Sequence, residues 1–126
     1  MALIAFVDKN TEWLELMFLN LRLSGHYDII LKRGDEAYHD YIERRFRIGG
    51  VPNMYVIDYD IPFMTGVELA RRLRKHGYID PIILTIENPE LLDPTEEGIN
   101  YVFPRGGDTI ELEKEVERLL KERGYP

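Results

Sequence analysis

Three acidic side chains stand where apolar runs stop. Asp8 follows residues 3–7 (LIAFV), Asp58 follows residues 54–57 (MYVI), and Asp60 comes two positions later. A carboxylate at the exposed end of a buried strand can act as a nucleophile, and a pair of them attracts a cation. Two further apolar runs end in Thr85 or Ile86 and in Pro104-Arg105, while Lys9 and Arg105 bring fixed positive charge to the same kind of position. Other chemistries lack their residues. There is no cysteine to act as a nucleophile, to ligate a metal or to form a disulfide. His26, His39 and His76 have no spacing that suggests a metal cage.

The elements that must carry these groups alternate. Residues 3–7 predict a strand, and Asn10 or Thr11 can cap a helix whose first turn holds Glu12 and Glu15. A second strand at residues 29–31 precedes a helix over 36–46, and Gly49-Gly50-Val51-Pro52 is a turn. The unbroken apolar run at 54–57 suits a strand covered on both faces, which means a parallel sheet. A helix over 65–76 puts Leu69, Ala70 and Leu73 on one face and Arg71, Arg72 and Arg74 outside it, the arginines reading as a solvated face. Strands at 82–86 and 100–103 follow. Asp108, with Glu111 three positions on, opens a last helix in the manner of a capping box. Between Thr85 and Gly98, Pro89 and Pro94 interrupt a short segment, so a fourth helix should be shortened or irregular. The expected fold is α/β: an open, doubly wound, five-stranded parallel sheet whose function collects at the carboxyl ends of its strands.

The whole chain of 126 residues suits a single domain, 1–126. No run approaches the roughly 18 apolar residues that span a bilayer, and no secretory leader opens the sequence, so a cytoplasmic protein without membrane contact is expected. A formal charge of −7 opposes direct nucleic-acid binding. The absence of glutamine, a 31% charged fraction and an excess of arginine over lysine suggest a thermophilic source.

Val7-Asp8-Lys9-Asn10 and the stretch Asp58-Tyr59-Asp60-Ile61-Pro62-Phe63-Met64-Thr65-Gly66 resemble the receiver domain of two-component response regulators, whose pattern is an acidic pair and then D-x-x-x-P-x-x-x-G. Gly25, the Gly34-Asp35-Glu36-Ala37 segment and Gly98 also sit where receivers commonly place them, so the likeness covers nearly the whole chain. It implies a flavodoxin-like fold with Asp58 at the phosphoacceptor position. It also implies Mg2+ held by Asp8, Asp58 and the Asp60 backbone carbonyl, phosphoryl contact from Thr85, and Tyr101 as the switch aromatic. Histidine kinases, phosphotransfer proteins or downstream effectors would be the partners, and the domain itself would not be an enzyme.

Two departures mark the chain as an atypical or pseudo-receiver. Lys9 stands where the pattern has a second acidic metal ligand, so any Mg2+ site should be weak. Pro104-Arg105 replaces the family's Lys-Pro, and Arg105 substitutes for the lysine only if its loop bends inward. Lys9 is then expected as the internal counterion of Asp8 and Asp58, holding Asp58 ionised, and the domain could work without phosphorylation. Plainer readings stand beside these: carboxylates that merely cap loops, a solvated Lys9, and an ordinary packed Tyr101. In the segment expected as the first helix, Leu16, Leu19 and Leu23 lie opposite the face of Leu14, Met17, Phe18 and Leu21, a candidate interface for a partner or a homodimer. The rival reading is a haloacid-dehalogenase-type phosphohydrolase using Asp58 and Asp60. A flavodoxin-like mononucleotide binder would need a phosphate-cradling loop that Asp8-Lys9-Asn10-Thr11 does not offer.

Overall fold

The computed structural model describes residues 2–10, 12, 14–15, 22–23, 25–48, 50–93, 96 and 98–125. Five short strands, β1 (Leu3–Val7), β2 (Tyr27–Leu31), β3 (Met54–Asp58), β6 (Ile82–Ile86) and β7 (Tyr101–Pro104), form one parallel sheet in the order β2-β1-β3-β6-β7. A two-residue antiparallel hairpin, β4 (Asp60–Ile61) with β5 (Met64–Thr65), follows β3 directly. Three helices are bounded within the described residues: α1 (Gly34–Arg44), α2 (Gly66–Lys75) and α3 (Thr109–Glu122). Residues 14–15 and 22–23, between β1 and β2, are also helical.

The expected doubly wound sheet is therefore present, and β1 and β3 lie in its interior for the reason their sequences give. Because alternate side chains point to opposite faces, a strand buried on both sides must be apolar at every position. Ile4, Phe6, Met54 and Val56 face a layer that includes Leu112 and Val116 of α3. Ala5, Val7, Tyr55 and Ile57 face the other layer, with Ala37 and Tyr41 of α1 and Leu69 and Leu73 of α2.

Boundaries shift at several places. The helix expected over 36–46 is α1, which begins at Gly34 and gives way to turns after Arg44. Its early start depends on glycine: a Cβ at Gly34 would lie 2.4 Å from Met64 Cγ, and the Gly34 amide donates to the Pro62 carbonyl at 3.0 Å. At the other end of the chain Asp108 caps α3 by accepting from the Ile110 amide at 2.9 Å. In the segment with two prolines, the described residues hold a single 3-10 turn, Pro89–Leu91, while Pro94 lies outside them. Of the proposed leucine interface, Leu16 and Leu19 lie outside the described residues, as does Thr11, whereas Leu23 is 78% exposed and Leu14 is buried.

Candidate functional site

Register brings the candidate residues together. The parallel ladder pairs Asp58 with Thr85 and Ile86 with Pro104, so the hydroxyl rather than Ile86 stands opposite the carboxylate. Asp8 emerges one residue beyond β1, its amide bonded to the Leu31 carbonyl at 2.9 Å. Asp8, Asp58 and Thr85 are all buried. Asp58 opens onto a cleft of about 370 Å³ whose lining also includes Lys9, Asn10, Asp60 and Arg105.

Arg105 does bend inward. Its amide donates to the Ile86 carbonyl at 2.9 Å, and the Gly107 amide closes a turn on the Pro104 carbonyl at 2.8 Å. That turn sends the guanidinium into the cleft, where Nη1 lies 2.7 Å from Asp8 Oδ2, 3.4 Å from Asp58 Oδ2 and 3.3 Å from Thr85 Oγ1. A charge-assisted contact of this kind is among the stronger polar interactions a protein makes.

Lys9 is placed differently from the expectation. Its Nζ bonds Asp60 Oδ2 at 2.7 Å on the rim, with the lysine and aspartate side chains 49% and 81% exposed. The counterion between Asp8 and Asp58 is the arginine. Nor is Asp58 held firmly ionised: burial, and next the charge of Asp8, push its carboxyl up to about 6, although Arg105 and the Asp60 amide pull the other way. The plainer loop-capping reading is also partly realised, since Asp8 Oδ1 accepts from the Asn10 amide at 2.9 Å and Asn10 Oδ1 from the Glu12 amide at 3.1 Å. Tyr101 is half-buried against the α3-side core.

The spacing from Asp58 to Gly66 has a steric cause. A Cβ at Gly66 would stand 2.4 Å from the Asp58 carbonyl oxygen, and the Gly66 amide donates to the Tyr59 carbonyl at 2.8 Å. Thr65 Oγ1 caps α2 by accepting from the Glu68 amide at 3.1 Å. Only glycine lets the helix start so close to the acidic strand end. Sequence reasoning overlooked the far rim of the cleft, Glu87, Asn88 and Leu91, because a segment broken by proline carries no periodic signal.

The side chains do not suit Mg2+. That ion takes oxygen ligands in near-octahedral geometry. Here a guanidinium nitrogen stands between the two converging carboxylates, and an ammonium occupies the next position. The Asp58-Tyr59-Asp60 stretch does not form a two-carboxylate phosphohydrolase centre either, because Asp60 faces outward to Lys9.

The fold is that of response-regulator receiver domains, and the chain is receiver-like along nearly its whole length. It aligns with response regulator protein TrrA from Thermotoga maritima, solved in complex with Mg(2+)-BeF, at 22% identity and a TM-score of 0.76, covering 94% of this chain and 99% of that one. A receiver domain protein from Clostridium thermocellum matches with a TM-score of 0.79 at 15% identity, covering 98% and 97%. In sequence, 94% of the chain is 28% identical to the phosphate regulon transcriptional regulatory protein PhoB of Rhizobium meliloti (strain 1021), of which it spans about half, 52%. No family model matches the chain. No helix among the described residues is long and apolar enough to cross a membrane.

Proposed function

We propose that this chain is a signalling module of a two-component phosphorelay, with Asp58 at the phosphoacceptor position and output through protein contact rather than catalysis. The observation that carries the reading is Asp58 itself: a buried carboxylate at the end of β3, in register with Thr85 and 3.4 Å from Arg105. In the transfer step a carboxylate oxygen of Asp58 attacks phosphorus, and the donor's leaving group departs with the bonding electrons. The Arg105 guanidinium, the Lys9 ammonium and the Thr85 hydroxyl would surround the phosphoryl oxygens. A histidine kinase or phosphotransfer protein would be the donor, and a downstream effector or second copy the receiver of the signal. The domain would act in the cytoplasm, without direct nucleic-acid or membrane contact, and its composition favours a thermophilic source.

One observation favours a phosphorylation-independent variant of this reading: the ion pair already satisfies Asp8 and reaches Asp58. Intact-mass spectrometry after incubation with a small acyl-phosphate donor separates the two. A single phosphoryl adduct on the natural chain, absent from Asp58→Asn, supports a working phosphoswitch. A natural chain that stays unmodified removes Asp58 as an acceptor and leaves the protein-contact reading.

A further inference from the structure

We propose that Arg105 is the resident cation of this site, so that the Asp8–Asp58 pair is neutralised from within the chain and is closed to divalent metal. The inference rests on the ion-pair geometry and holds whether or not Asp58 accepts a phosphoryl group.

Two buried carboxylates that converge need positive charge between them. A metal-dependent site leaves their oxygens open to an ion from solvent. In this chain one guanidinium nitrogen already lies within 3.4 Å of oxygens from Asp8, Asp58 and Thr85, each at the end of a different strand. Mg2+ would need those carboxylate oxygens at about 2.0–2.1 Å. It cannot share the space with the guanidinium and must expel it.

What opposes that expulsion is the guanidinium's own contacts with Asp8, Asp58 and Thr85, made from a backbone fixed in place. Arg105 is anchored through its amide to the Ile86 carbonyl, and the turn behind it closes on Pro104. A Cβ at Gly107 would sit 3.0 Å from the Pro104 carbonyl oxygen and 3.2 Å from the Phe103 ring, so this turn is shaped for glycine. The Arg105 side chain is 14% exposed, against 49% for Lys9, which marks it as part of the interior of the site rather than its rim. Lys9 pairs with Asp60 on the rim and leaves the Asp8–Asp58 pair to Arg105. Three carboxylates thus face two tethered cations, and the charge state of the cleft does not follow the concentration of free divalent ions.

The test compares the natural chain, Arg105→Ala, Arg105→Gln and Arg105→Ala/Asp58→Asn in thermal unfolding with EDTA or 10 mM Mg2+, alongside counting of bound Mn2+ by electron paramagnetic resonance. The natural chain should hold no Mn2+ and shift by less than about 1 °C. Arg105→Ala should melt lower and regain roughly 4 °C with Mg2+, since a ligand taken up only by the folded state raises its stability. The added Asp58→Asn change should abolish that rescue. Should Arg105→Ala not fold, Arg105→Gln, which keeps much of the side-chain bulk without charge, takes its place in the comparison. A natural chain that binds Mn2+ and gains several degrees from Mg2+ overturns the proposal outright. So does a folded, uncharged variant that gains neither. Failure of the phosphorylation experiment leaves these outcomes untouched, because they read metal and stability alone.

Discussion

Asp58 carries a cost that pH can relieve. Its carboxyl titrates near 6 in the folded chain, against about 3.9 for an unperturbed aspartate, so between those values the folded state holds more of the proton than the unfolded one. Its contribution to stability is therefore greatest below about pH 4 and is lost as pH rises through 6. Two units correspond to roughly 3 kcal/mol. Asp58→Asn should accordingly be more stable than the natural chain by about 1–3 kcal/mol at pH 7.5, with the difference largely gone at pH 4. Urea unfolding at the two pH values reads it; a variant less stable at pH 7.5 would mean that the Arg105 contact outweighs burial. Tyr55 poses a similar question in the core. Its hydroxyl is buried with no hydrogen-bond partner among the described residues, while Tyr78, packed edge-on against it at 4.9 Å, donates to the Pro52 carbonyl at 3.0 Å. Tyr55→Phe should be neutral or stabilising by about 1 kcal/mol, and Tyr78→Phe destabilising by about as much. Equal losses for both would show that Tyr55 has a partner, such as an ordered water. At this scale the sequence disclosed the site's acidic residues but not their counterion. Lys9 adjoins Asp8 in the chain, yet its partner is Asp60, and Arg105 reaches Asp8 through a turn whose direction is set by a bond to Ile86.

Among the elements, the weak link is the passage from β6 to β7, whose described residues form no more helix than the turn Pro89–Leu91. Arg74 compensates from α2. Its guanidinium donates to the carbonyls of Gly98, Tyr78 and Asp80 at 2.7–3.0 Å, and to Asn100 Oδ1 at 3.0 Å, which in turn accepts from the Ile82 amide. A lysine offers a point charge in place of that planar fork, so Arg74→Lys should cost about 1–3 kcal/mol and speed amide exchange around residues 98–100. Unchanged exchange there would assign the bracing to the core instead. The β4–β5 hairpin stores strain of another kind. Phe63 takes φ +76 at its tip and is 73% exposed, with the Arg33 guanidinium 5.0 Å from its ring. Phe63→Gly should raise stability by about 1 kcal/mol, because a non-glycine residue in the left-handed region costs about that much. A loss on denaturant titration would mean that the cation–π contact repays the strain. The hairpin and its strain were not legible beforehand, since Pro62-Phe63 lacks the glycine that ordinarily announces such a turn. The shortening of the fourth helix could be read from its prolines as far as Pro89–Leu91, since Pro94 lies outside the described residues.

For the molecule as a whole, the doubly wound sheet could be read from apolar runs whose period and terminal residues agree with one another, which is the consistency a foldable sequence needs. What surrounds it was less accessible. Exposed Leu23 is the described part of the proposed leucine interface, and association through it predicts concentration-dependent sedimentation that Leu23→Glu abolishes. A single concentration-independent species would remove the homodimer from the candidate partners. The close approach of Gly34 to Met64, and of Gly66 to the Asp58 carbonyl, has a consequence for how such a chain can drift over generations. Because the hairpin is wedged between α1 and the acidic strand end, its neighbours are not equally free to vary. At position 34 the obstacle is the Met64 side chain, which can turn aside or be exchanged, whereas at 66 it is backbone and no side-chain exchange can remove it. Descendants should therefore keep glycine at 66, while position 34 is freer to change as the side chain at 64 moves or changes with it.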